Sequence, residues 1–252
     1  MSIRSRTDST PYDAELYAAV HLGTPGDIDF YVRACAGTDP ILELGCGVGR
    51  ITTPLRDAGH EVIGIDIDAS AVTKARQRGL DCRVADMREF KVRRRFARIL
   101  LPYNSLYCLL CDDDLVKCFI CARQHLASGG LIIFDAYAGD ALGHEDGLPY
   151  LTGEMQQSPI DAISFKAQHW DVYEESRWDP VAQRVDAIYT HVSQTSGETI
   201  EATIAHRYLT SHQLPEILER AGLSIISLHG NFDSQPFNPE SELLVVRAGR
   251  WR

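Results

Sequence analysis

The 252-residue chain contains no apolar run of the roughly 18 residues that cross a bilayer, and its first ten residues, MSIRSRTDST, hold no apolar signal core. A cytoplasmic protein without a membrane partner is expected. Positive charge is also scarce: 25 Lys and Arg stand against 35 Asp and Glu, for a formal net charge of −10. A sequence-independent grip on phosphates needs clustered cations, so the balance argues against nucleic acid and for a small-molecule partner. The basic run Lys91-Val92-Arg93-Arg94-Arg95 reads as a solvated edge. Seven cysteines, an odd number with no secretory context, argue against a disulfide framework, and reduced thiols are expected. With 44% hydrophobic and 24% charged residues, the composition excludes disordered and collagen-like chains.

Cys108, Cys111, Cys118 and Cys121 form two C-x2-C pairs, a spacing that suits four thiolates around a metal. The gap between the pairs is shorter than the roughly 15 to 20 residues of a zinc ribbon, and Asp112-Asp113-Asp114 inside it reads as a helix start. Buried thiols acting as small apolar side chains are the alternative, and no metal is assigned.

Between Pro40 and Tyr137 short apolar runs alternate with helical segments, the pattern of β-α units in a parallel sheet. The expected strands are 41–44, 61–66, 81–86, 97–102 and 130–137, with helices over 50–58, 69–79 and 112–127. Ahead of them, 12–20 and 27–36 read as helices of an N-terminal lid within residues 1–38. After Tyr137, strand-like runs 164–178, 181–194 and 199–209 predict a three-strand antiparallel insertion inside 160–210. A helix over 211–221 and strands 223–228 and 243–247 then complete the sheet within 211–249. One domain spanning 1–252 is expected, its cofactor-binding core at 40–137.

The most specific segment is Ile41-Leu42-Glu43-Leu44-Gly45-Cys46-Gly47-Val48-Gly49-Arg50, a strand opening through three glycines into a helix. Such a turn lets backbone approach a ligand with no Cβ in the way. The spacing G-x-G-x-G is one residue short of the dinucleotide fingerprint G-x-G-x-x-G. Asp66 ends the next apolar run, where a carboxylate can accept bonds from ribose hydroxyls, and Asp86 ends the third.

Glu43-x-Gly45-x-Gly47-x-Gly49, then Asp66, then Asp86-Met87, resembles the successive cofactor motifs of class I S-adenosylmethionine-dependent methyltransferases. The resemblance implies a Rossmann-like α/β fold: a seven-stranded sheet, its last strand antiparallel, with helices on both faces. It also implies a cofactor site drawn from Glu43, Gly45, Cys46, Gly47, Gly49, Asp66, Ile67, Asp86, Met87 and Leu101. Gly45 and Gly47 would lie near the methionine moiety, Asp66 on the ribose and Asp86 with Met87 at the adenine. The inserted strands resemble those of small-molecule N- and O-methyltransferases, including amino-sugar and glycine N-methyltransferases, whose insertion covers the acceptor or pairs subunits. A homodimer through the insertion is one expectation. The fourth strand opens Phe96-Ala97-Arg98 where relatives have Phe-Asp, which weakens a close subfamily assignment.

Residues following the fourth strand, Leu101-Pro102-Tyr103-Asn104-Ser105, should face the sulfonium, and they lack the Asn-Pro-Pro-Tyr of base and glutamine methylases. Tyr103 and Asn104 either orient an acceptor or serve packing and turn capping. Candidate bases are His144, His169, His206 and His229, the last placed after the sixth strand. Tyr12 and Tyr17 of the lid could close over an acceptor. Arg207 could pair with an acceptor anion or form an ion pair at the root of the insertion, and Trp170 could line the pocket or pack. The expected reaction moves a methyl group from S-adenosylmethionine to a nitrogen or oxygen of a small molecule. Alternatives are a protein side chain or RNA base as acceptor, or a cofactor-binding module without catalysis.

Overall fold

The computed structural model describes residues 12–143 and 158–251. Its centre is β1, Ile41–Leu44, four consecutive buried residues paired in parallel with β2 (Val62–Asp66) on one side and β4 (Phe96–Leu101) on the other. A strand covered on both faces has no polar side to present, which is why ILEL reads as a continuous run. β3 (Cys82–Val84) lies outside β2, while β5 (Leu126–Tyr137) continues beyond β4. β11 (Leu243–Arg250) then runs antiparallel between β5 and β10 (Leu223–His229). The resulting order β10-β11-β5-β4-β1-β2-β3 is a Rossmann-like seven-stranded sheet with one antiparallel strand.

Helices α1 (Ala14–Val20) and α2 (Asp27–Cys35) precede the sheet. Within it come α3 (Thr52–Asp57), α4 (Ala69–Gln77), α5 (Asp112–His125) and α6 (Leu214–Arg220). The first helix begins where Asp13 accepts hydrogen bonds from the Glu15 and Leu16 amides at 2.9 and 3.2 Å. Asp68 caps α4 in the same way through the Ser70 amide at 2.7 Å.

The insertion has four strands: β6 (Ser158–Phe165), β7 (Gln168–Asp179), β8 (Arg184–Ser193) and β9 (Thr199–Arg207), in that order. The expected single strand 164–178 is a hairpin, because Lys166 and Ala167 both take positive φ (49° and 58°) and turn the chain. A two-residue turn of this kind favours glycine or asparagine, so Lys-Ala carried no turn signal. The sheet grips the lid where Leu16 of α1 packs with Phe165 and Trp170. The third expected strand also stops early: β3 ends at Val84, which leaves Asp86 in the turn beyond it.

Candidate active site

The strand order reverses at β1, whose neighbours β2 and β4 send their connections to opposite sides, and ligands of such sheets bind at that switch point. There a cavity of about 1770 Å³ opens between the strand ends, the lid and the insertion sheet. Its floor is the glycine turn. Gly47 has φ 52° and nothing within 4 Å of an added Cβ, so its backbone faces open space. Gly49 differs: a Cβ there would meet Leu80 Cδ1 at 2.1 Å, so that glycine serves packing and does not line the cavity.

Asp66 stands beside this turn. One carboxylate oxygen accepts the Gly47 amide at 2.7 Å and the other the Asp68 amide at 2.9 Å. Burial raises its pKa, and these two bonds oppose the rise. A carboxylate offers about four acceptor sites, so two remain for hydroxyl donors. Glu43 beneath it is buried, accepts the Thr52 hydroxyl, and is pushed up to about 8 by desolvation. The adenine end expected from the sequence has Ile67, Asp86 and Met87 on the wall. Ile67 is 70% exposed, an apolar side chain left uncovered beside a polar ribose-type carboxylate. Asp86 is held by Arg88 at 2.5 Å, and Arg88 reaches on to Asp114 of α5 at 2.7 Å.

Chemically this donor set fits S-adenosylmethionine: a free backbone turn, a carboxylate with spare acceptor capacity, and an apolar shelf with acids around it. Glu43, Gly45, Cys46, Gly47, Asp66, Ile67, Asp86 and Met87 all line the cavity. Leu101 does not; as the last residue of β4 it is fully buried in the core.

Across the cavity, Tyr103 and Asn104 form a left-handed pair (φ 51° and 59°) immediately after β4. Such backbone costs about 1 to 3 kcal/mol per residue and persists only where surroundings hold it. Asp135 of β5 supplies the hold, accepting the Tyr103 amide at 2.9 Å and the Tyr31 hydroxyl at 2.6 Å. Full burial pushes its carboxyl up to about 6. Asn104 Oδ1 accepts the Tyr137 amide at 2.8 Å, fixing the turn to β5. Arg50, paired with Asp27 at 2.7 Å, stacks its guanidinium 5.2 Å from the Tyr103 ring centre.

The lid and insertion supply the remaining wall. Tyr12, Tyr17 and His21 face Tyr189 and His206, and the Tyr12 hydroxyl lies 2.9 Å from His191 Nε2. Desolvation pushes His21 down to about 3 and His206 to about 4, so both imidazoles are neutral at physiological pH.

Several expected site residues lie elsewhere. Trp170 is buried against Leu16, its indole N–H donated to the Phe165 carbonyl at 3.1 Å. Arg207 pairs with Asp112 at 2.6 Å, because the pleat that turns His206 inward turns its neighbour outward. His229 ends β10, separated from β4 by β11 and β5, and does not line the cavity. His169 contacts Ser164 outside the cavity, and His144 lies outside the described residues. Cys118 and Cys121 are buried on α5, Cys108 and Cys111 exposed; among the described residues no cluster of three or more His, Cys, Asp or Glu side chains converges. Sequence reading missed His21 and Glu174 at the cavity and the supporting pairs Asp27–Arg50 and Asp135–Tyr31. Asp135 alone left a trace, an acid inside the apolar run Leu131–Tyr137.

A sheet of this order with a glycine turn and acid at its switch point defines the class I methyltransferase architecture. Residues 41–130 match the sequence family described as a methyltransferase domain. The Cypemycin N-terminal methyltransferase of Streptomyces sp is 22% identical over 218 residues, 82% of this chain and 81% of the relative. The dTDP-3-amino-3,6-dideoxy-alpha-D-glucopyranose N,N-dimethyltransferase of Streptomyces fradiae is 26% identical over 137 residues, 49% of this chain and 52% of the relative. Among solved structures, the CcbJ methyltransferase from Streptomyces caelestis superposes with a TM-score of 0.75 at 23% identity, over 96% of this chain and 93% of that one. Residues 41–130 thus carry a methyltransferase domain, and the chain as a whole has the fold of S-adenosylmethionine-dependent methyltransferases.

Proposed function

We propose that the chain transfers a methyl group from S-adenosylmethionine to a nitrogen of a small-molecule acceptor held between the β4 turn and the insertion sheet. One observation carries this reading: a single cavity joins the glycine turn and Asp66 to an aromatic chamber made by lid and insertion. Two relatives support nitrogen, since their names specify N-terminal and N,N-dimethyl transfer.

S-adenosylmethionine supplies an already activated methyl group, so the protein's work is alignment and exclusion of water. Gly45, Gly47, Asp66, Ile67, Asp86 and Met87 would hold the cofactor. Tyr103 and Asn104 shape the passage to the acceptor on a turn that Asp135 fixes, and alignment of this kind is worth about 7 to 11 kcal/mol. Tyr12 and Tyr17 close the chamber from the lid.

The arginines lining the cavity are already engaged, Arg50 with Asp27, Arg78 with the Val48 carbonyl and Arg88 with Asp86 and Asp114, which favours a small amine over RNA. Calorimetric titration with S-adenosylmethionine should give saturable binding, and S-adenosylhomocysteine release should rise when a low-mass amine fraction is added. Absence of binding at millimolar cofactor contradicts the reading.

A further inference from the structure

His21 closes α1 with only 7% of its surface exposed, lines the cavity, and has no hydrogen-bond partner for its Nε2. Its ring sits 4.2 Å from Tyr17, 4.8 Å from Tyr189 and 6.3 Å from Tyr103, measured between centres. A buried imidazole nitrogen without a partner is a rare feature in a folded protein. On the facing wall, Glu174 of β7 stands directly opposite Tyr189 of β8 in the sheet register. The Ser176 hydroxyl donates to Glu174 Oε1 at 3.1 Å, and burial together with the Glu174 charge raises the Tyr189 phenol. Tyr189 thus neighbours both groups, one on the lid and one on the insertion.

The charge around them is one-sided. Glu174 lines the cavity on the insertion side; Arg78 donates to the Val48 carbonyl and Arg88 to Asp86, both toward the glycine turn and the end of β3, while Arg50 lies over Tyr103. Arg50 is committed to Asp27 through two contacts, at 2.7 and 3.0 Å. Tyrosine faces attract cations and a carboxylate repels anions.

We propose that His21 and Glu174 form the amine-recognition subsite of the acceptor chamber, Glu174 drawing in a protonated amine and His21 offering it a hydrogen bond. The inference rests on the methyl-transfer reading above and deepens it, naming the residues that make the chamber select cations. Bridging the two groups, an amine ties the lid to the insertion sheet, so acceptor capture also completes the wall that excludes water.

The test uses the full chain saturated with S-adenosylhomocysteine and three ring-matched ligands: cyclohexylamine, cyclohexanol and cyclohexanecarboxylate. Binding is followed by ligand-observed NMR. The amine should bind about tenfold more tightly than either of the others, as expected for a charge-matched site. Glu174→Gln should remove most of that preference, and His21→Phe should weaken the amine about fivefold, the loss of one hydrogen bond. His21→Gln, which keeps a hydrogen-bonding group, should recover binding to within about twofold of wild type, a rescue that a purely packing role does not give. S-adenosylhomocysteine affinity should stay unchanged in all three variants. Equal binding of the three ligands, preference for the carboxylate, no amine binding, or an unaltered Glu174→Gln variant overturns the subsite. If wild type fails to bind S-adenosylhomocysteine at all, the methyl-transfer reading falls with it; if that binds and the amine does not, only the subsite falls.

Discussion

At the scale of single residues, the site is organised by acids placed where burial alone would forbid them. Asp66 is stabilised by two amides and keeps acceptor sites free, so Asp66→Ala should weaken S-adenosylmethionine binding by more than about 1 kcal/mol, read by calorimetry. An unchanged affinity would remove Asp66 from the ribose position. Glu43 makes a different prediction. Its folded pKa of about 8 lies above the ordinary 4.5, so the stability it contributes is fully present below about pH 4.5 and is lost as pH rises through about 8. Relative to Glu43→Gln, wild type should therefore lose about 2 to 4 kcal/mol across that window in urea unfolding. A difference that stays flat with pH would contradict a Glu43 held protonated.

At the scale of elements, the lid and insertion act as one wall because α1 is pinned to the hairpin of β6 and β7. Leu16 is fully buried between Phe165 and Trp170, so Leu16→Ala should cost about 2 to 4 kcal/mol of stability. Faster amide hydrogen exchange should appear in α1 before the central sheet. A uniform increase across the sheet would show that the joint is not local. The core elements were legible because β1, β2, β4 and β5 are largely apolar runs punctuated by helices, whereas the short β3, Cys-Arg-Val with two exposed residues, carries a weaker signal. The insertion was legible only as antiparallel strands. Its extra hairpin hides in Lys166-Ala167, which has no glycine or asparagine to announce a turn. The facing of its side chains was hidden too: register decides that Glu174, Tyr189 and His206 share the cavity side while Arg207 points away, and periodicity alone does not fix register. His21 shows the same limit, since nothing in a helix-ending histidine reveals that its ring meets Tyr189, a residue 168 positions later.

At the scale of the whole molecule, the net charge of −10 is distributed with a purpose visible in the cavity. Asp66 and Asp86 line the part of the cavity proposed for the cofactor, a sulfonium, and Glu174 the part proposed for the acceptor. No helix among the described residues is long and apolar enough to cross a membrane. Acids thus line both parts of the cavity, and the insertion sheet closes what the parallel sheet leaves open. The most direct measurement is the fate of a labelled methyl group when the protein is incubated with methyl-labelled S-adenosylmethionine and separated metabolite, peptide and RNA fractions. The label should pass to low-mass, amine-containing compounds of the metabolite fraction. Label recovered only in RNA or in protein, or none transferred by a chain that binds the cofactor, would contradict a small-molecule N-methyltransferase.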